Sequence, residues 1–164
     1  MSNLYHGNPR AGGLPFAIAA SRFNDGVTSR LVAGAEQALL ENGVPPEDID
    51  VVWVPGALEL PLAALTLADS GRYAAIIALG CVIKHQTLHF ELVAQGATQG
   101  LVQASLETGV PMLHGILACF DEQQAYERAG GSEGNKGYEV ALSALEMADL
   151  LQRSPWETEE NEQS

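Results

Sequence analysis

The sequence predicts an α/β domain, with four parallel strands held between two layers of helices. Three observations carry that expectation. Apolar strand-like runs alternate with helical periodicities along the whole chain, the order that builds a parallel sheet through crossover connections. The run "YAAIIALGCVI" is continuously apolar, as a strand covered on both faces must be. The 164 residues, 46% hydrophobic, contain no internal repeat and no dividing linker, so one domain with a real core accounts for them.

Each element follows in order. "LPFAIAASRF" gives a first strand over about 14–20. A helix over 25–42 is marked by Val27, Leu31, Ala35 and Leu39 at helical spacing, and Asn42-Gly43 stops it. "PPEDIDVVWVPG" leads into a second strand over 49–54, where Trp53 is expected to pack within the sheet. "ALELPLAALTLADSGR" forms a second helix, because Pro61 falls in its first turn, where no N–H donor is needed. The apolar run described above is the third strand. Residues 89–108 form a third helix with Phe90, Val93, Ala97, Leu101 and Ala104 on one side. "VPMLHGILACF" is the fourth strand, and "DEQQAYERAG" and "NKGYEVALSALEMADLLQR" are two closing helices, divided by a glycine-rich kink, "GGSEG". Residues 1–13 read as a flexible arm, 14–154 as the domain and 155–164 as an acidic, disordered tail.

Charge excludes some functions. The formal net charge is −13, with only 8 Lys plus Arg, so no positive stripe can be built for nucleic acid or for an anionic membrane surface. No apolar run approaches the ~20 residues of a membrane span. The start, "MSNLYHGNPRAGGLP", has no apolar stretch of a secretory leader. Cys81 and Cys119 lie apart in apolar runs and read as reduced thiols of a cytoplasmic protein. A charged fraction of 18% is low enough to suggest surface covered by further subunits.

Ligands of open parallel sheets gather beyond the carboxyl ends of the strands. Phe23 there is a stacking plate for a planar ring or a loop anchor on the core. Glu59 accepts hydrogen bonds from a ring or favours a helix dipole. The segment "KHQTLH", residues 84–89, opens the third helix, whose free N–H groups suit an anion. Thr87 adds a hydroxyl, Lys84 a charge, and His89 an imidazole suited to proton transfer; the alternative is a polar surface loop. His85 and His89 have the i,i+4 spacing of zinc hydrolases, but Gln86 stands where their Glu base would be, so no metal is expected. "GGSEGNKG" lacks the order of a nucleotide phosphate loop; Arg128 and Lys136 flank it as a phosphate clamp or as helix-end charges. His114, alone in an apolar strand, reads as a satisfied core residue.

Together, "SRFND", "VVWVPGALELPLAA", "ALGCVIKHQTLHFELVAQGATQGL" and "ERAGGSEGNKGYEVALSALEMADLL" resemble the 6,7-dimethyl-8-ribityllumazine synthase family over about 14–152. The resemblance implies a flavodoxin-like three-layer fold. It also implies a transferase that condenses 5-amino-6-(D-ribitylamino)uracil with 3,4-dihydroxy-2-butanone 4-phosphate, the penultimate step of riboflavin biosynthesis, without cofactor or metal. By position, Phe23 would stack on the pyrimidine, while Ala57, Leu58, Glu59, Cys81, Val82 and Ile83 would line its site. Gln86 and Thr87 would hold the phosphate, His89 would transfer protons, and Arg128 would clamp the phosphate with Lys136 beside it. His114 would border the pyrimidine from a neighbouring subunit.

The resemblance further implies a homo-oligomer, either a pentamer or a shell of twelve pentamers, and riboflavin synthase as a possible partner. The length of the "GGSEGNKG" turn favours the shell. Four features depart from the family pattern: His85 for glycine, Leu58 for an aromatic, His114 for phenylalanine, and "ACFDE" for a Thr-Thr-acid segment. They motivate an alternative, a weakly active or non-catalytic relative that binds flavin or lumazine or forms a cage.

Overall fold

A computed structural model describes residues 1–10 and 13–157. Strand β1 spans Phe16–Ser21, β2 Ile49–Val54, β3 Ala75–Ile83 and β4 Met112–Cys119. Helices α1 (Asp25–Glu41), α2 (Leu60–Asp69) and α3 (His89–Thr108) connect them. Helices α4 (Glu122–Glu127) and α5 (Lys136–Arg153) follow the last of these strands. All pairings in this four-stranded sheet are parallel, in the order β2-β1-β3-β4. The fold is the expected three-layer sandwich.

Side-chain alternation explains the two layers. Phe16, Ile18 and Ala20 of β1, with Ile77, Leu79 and Cys81 of β3, pack under α1, α4 and α5. Ala17 and Ala19, with Ile76, Ala78 and Val82, pack under α2 and α3. The central strands β1 and β3 are therefore apolar at both parities, because neither face meets water. Small residues let the helices approach closely. A Cβ built on Gly137 at the start of α5 would lie 2.0 Å from the Leu31 carbonyl oxygen of α1, so only glycine fits there.

Three expectations need correction. The glycine-rich segment between the last helices is not a simple kink. It is an antiparallel ribbon of β5 (Ala129–Gly131) and β6 (Gly134–Asn135), turned by Gly130 and Gly134 at φ 98° and 81°. Trp53 is 41% exposed, because β2 is an edge strand and leaves its outer positions uncovered. His114 also lies on an edge strand, β4, and is exposed, so it is not a core histidine.

The N-terminal residues run along α5. Asn8 N–H donates to Asp149 Oδ2 at 2.7 Å, and Arg153 Nη2 donates to the His6 carbonyl at 2.8 Å. The ring of Tyr5 meets that of Trp156 edge-on at 6.4 Å. Residues 11–12 of the expected arm and 158–164 of the expected disordered tail lie outside the described residues. Among the described residues, no helix is long and apolar enough to cross a membrane.

Candidate functional site

The carboxyl ends of β1, β2 and β3 open onto a cleft of about 310 Å³. Backbone bonds fix its rim. Arg22 N–H donates to the Val54 carbonyl at 2.8 Å and Phe23 N–H to the Pro55 carbonyl at 3.1 Å, tying the turn after β1 to the end of β2. Asn24 adopts a left-handed backbone, φ 61°, and its Nδ2 donates to the Cys81 carbonyl at 2.9 Å. With the backbone pinned on both sides, the Phe23 ring stands 66% exposed at the cleft. At that exposure the ring is not an anchor on the core.

The opposite wall is a 3₁₀ turn, Ala57–Glu59, that precedes α2. Ala57 is buried, and Leu58 is 52% exposed beside the cleft. The Glu59 carboxylate folds back toward Gly56, where an added Cβ would sit 3.1 Å from Oε2. Its oxygens accept no hydrogen bond from a described residue and remain open to a ligand. The last residues of β3, Cys81, Val82 and Ile83, make the floor. Burial pushes the Cys81 thiol up to about 12, with Cys119 and Glu122 adding to the shift. Cys81 is therefore a neutral wall residue and not a nucleophile.

Two imidazoles, His85 and His89, complete the lining, together with Pro55, Gly56 and Val93. The loop that carries them is anchored by Lys84 N–H, which donates to the Cys119 carbonyl at 2.9 Å. Thr87 Oγ1 lies 3.4 Å from the His89 N–H at the first turn of α3, and no other side chain caps that helix end. Gln86 and Thr87 are exposed on the loop outside the cleft lining, beside the open N–H groups of α3. Among the described residues, no group of three or more His, Cys, Asp or Glu could hold a metal ion.

The cationic residues lie elsewhere on the same chain. Arg128 and Lys136 line a separate pocket of about 290 Å³ with Leu117, Glu133 and Glu139. Arg128 Nη1 donates to the Gln124 carbonyl at 3.1 Å and stands 3.6 Å from Glu127 Oε2. Lys136 Nζ lies 3.8 Å from Glu139 Oε2. His114 Nε2 is 2.9 Å from Thr98 Oγ1 of α3. Loss of solvent lowers the basicity of His114, and the Lys136 charge lowers it further against an opposing backbone hydrogen bond.

The chain thus gathers Phe23, Ala57, Leu58, Glu59, Cys81, Val82, Ile83 and His89 in one cleft, with Gln86 and Thr87 at its edge. Arg128 and Lys136 sit in the second pocket, with His114 close enough to feel the lysine charge. Sequence reasoning did not place His85 in the lining. His85 lies in the irregular loop before α3, which begins at His89, so no helical periodicity could have paired the two positions.

Comparison with known proteins bears on this arrangement. A family model for 6,7-dimethyl-8-ribityllumazine synthase matches residues 13–152. A protein of Xylella fastidiosa (strain M12) with that name is 50% identical over 151 residues, which cover 92% of this chain and 98% of the relative. One of Xanthomonas euvesicatoria pv. vesicatoria (strain 85-10), also so named, is 51% identical with the same coverage.

Proposed function

The chain belongs to the 6,7-dimethyl-8-ribityllumazine synthase family, and from that membership and the cleft we infer its activity and the roles of its residues. It is a transferase of riboflavin biosynthesis. It condenses 5-amino-6-(D-ribitylamino)uracil with 3,4-dihydroxy-2-butanone 4-phosphate to 6,7-dimethyl-8-ribityllumazine. Amine and ketone condense with loss of phosphate and water, and no electrons are exchanged, so no redox cofactor enters the balance.

The observation that carries the site assignment is the uncovered Phe23 ring sharing one cleft with Glu59 and His89. Phe23 stacks on the pyrimidine. Glu59 and the walls from Ala57, Leu58, Cys81, Val82 and Ile83 orient the ring and its ribityl chain. The open N–H groups of α3, with Gln86 and Thr87, receive the phosphate of the four-carbon substrate. His89 transfers protons. Holding two reactants in attack geometry is worth up to ~7–11 kcal/mol, and a positioned acid/base adds ~10²–10⁴-fold.

A phosphate clamp in a separate pocket of the same chain makes sense if the site is completed between subunits. In this reading Arg128 and Lys136 of one copy reach the phosphate seat of the next, and His114 borders the pyrimidine there. The assembly is a homo-oligomer, a shell of twelve pentamers favoured by the short β5–β6 ribbon, with a lone pentamer as second choice. Riboflavin synthase is a candidate partner and the cytoplasm the expected location. Nothing in the comparisons favours the non-catalytic alternative.

The direct test mixes the purified protein with both substrates and follows lumazine absorbance and fluorescence. Product formation is expected, and none at high enzyme concentration rejects the activity. Sedimentation and negative-stain microscopy test the assembly: a sharp pentamer at all concentrations rejects the shell.

A further inference from the structure

Of the six residues in the loop 84–89, only His85 and His89 line the cleft. Lys84 points its ammonium over the Phe120 ring, 5.5 Å from the centroid, while Gln86, Thr87 and Leu88 stay outside the cleft. Neither imidazole makes a side-chain hydrogen bond to a described residue, whereas His114 is engaged with Thr98. Nor is His85 a strained intruder. Asn24 and Ser154 are the non-glycine residues with positive φ among those described, so position 85 has a backbone that any residue adopts. The cleft therefore holds two unengaged imidazoles, facing the same space as Phe23 and Glu59.

We propose that His85 is a second proton-transfer residue of the condensation, working beside His89. This rests on the activity assigned above. The chemistry provides work for two such groups. When the carbinolamine collapses, one imidazole delivers a proton to the hydroxyl, which leaves as water. The C=N bond forms, and the nitrogen returns a proton to the second imidazole. In the next step a proton is taken from the carbon between the imine and the phosphate-bearing carbon. Its electron pair becomes the new C=C bond, and phosphate leaves with the C–O pair. Protons thus move in opposite directions at neighbouring atoms. Two imidazoles on one wall of the cleft allow one to give while the other receives, and each remains able to serve alone more slowly.

The test is a double-mutant cycle on the whole protein, with His85→Gln and His89→Gln made singly and together. Each single variant should lose roughly 10-fold or less in kcat. The pair should lose ~10²–10⁴-fold, the range of a positioned acid/base, with KM for either substrate changed by less than about 3-fold. Free imidazole added to a His85→Gly, His89→Gly protein should restore part of the turnover, which a merely structural role would not allow. Circular dichroism checks that the variants fold, and His85→Asn replaces any that does not. If adding His85→Gln to His89→Gln costs nothing more, the proposal is overturned. It is also overturned if the His85 loss lies wholly in KM for the sugar phosphate, which would make the residue an anion contact. A wild-type protein that forms no lumazine would instead remove the activity itself.

Discussion

Asn24 and Cys81, 57 residues apart, are joined at the mouth of the cleft by a 2.9 Å hydrogen bond from the Asn24 amide to the Cys81 carbonyl. Asn24 also holds a left-handed backbone, φ 61°, immediately after Phe23. One residue thus turns the chain just after Phe23 and ties that turn to the cleft floor. Asn24→Ala loses the bond and incurs the left-handed cost, so it should destabilise the protein by about 2 kcal/mol and raise KM for the pyrimidine. Asn24→Gly loses only the bond and should cost about 1 kcal/mol. Denaturant unfolding of the two variants checks the difference, and equal losses would remove the backbone part of the argument.

The separation of His89 from Arg128 and Lys136 on one chain predicts complementation between subunits. His89→Ala and Arg128→Ala proteins should each be weak alone. Co-refolded at equal amounts, they should regain activity at about a quarter of the sites, where an intact His89 meets an intact Arg128 from the next subunit. Activity no greater than the average of the two singles would place both residues in sites built within one chain.

His114 carries a pH dependence. Its folded-state basicity is lowered, first by lost solvation and then by Lys136. Thr98 of α3 is its hydrogen-bonding neighbour. The unfolded chain therefore binds a proton here more readily than the folded one. Stability at this position should fall as pH drops below ~6.5 toward the lowered folded value, and should be unaffected well above it. Thermal melts of wild type and His114→Phe between about pH 7 and pH 5 should diverge in favour of the variant as acid is added. Parallel curves would show that the imidazole is not the cause.

Gly137 marks a close approach of α1 and α5, where an added Cβ would stand 2.0 Å from a backbone oxygen. A backbone cannot rotate away as a side chain can. Gly137→Ala should force the start of α5 outward, cost about 1–3 kcal/mol or more, and move the adjacent Lys136. A drop in melting temperature with a raised KM for the sugar phosphate is the expected outcome. Unchanged melting would mean the helices part freely there.

Much of the fold was legible in the residues. The unbroken apolar run from Ala75 to Leu79 and the four-residue helical spacing of Val27, Leu31, Ala35 and Leu39 are set by local periodicity. Trp53 and His114 were misread because their exposure depends on which strands lie at the sheet edges. No local pattern records that order. The β5–β6 ribbon escaped for a similar reason, since glycines permit a kink and a tight hairpin alike.

By itself the sequence determined the alternation of elements, the burial of the central strands and the set of chemically capable residues beyond the strand ends. These follow from side-chain type and spacing along the chain. Only the tertiary structure decided which of those residues share a space. It placed His85 with His89, Phe23 and Glu59, and put Arg128 and Lys136 in a different pocket. The physical reason is that a cleft is made by segments distant in sequence, and its lining is fixed by sheet order and loop direction, which no short stretch encodes.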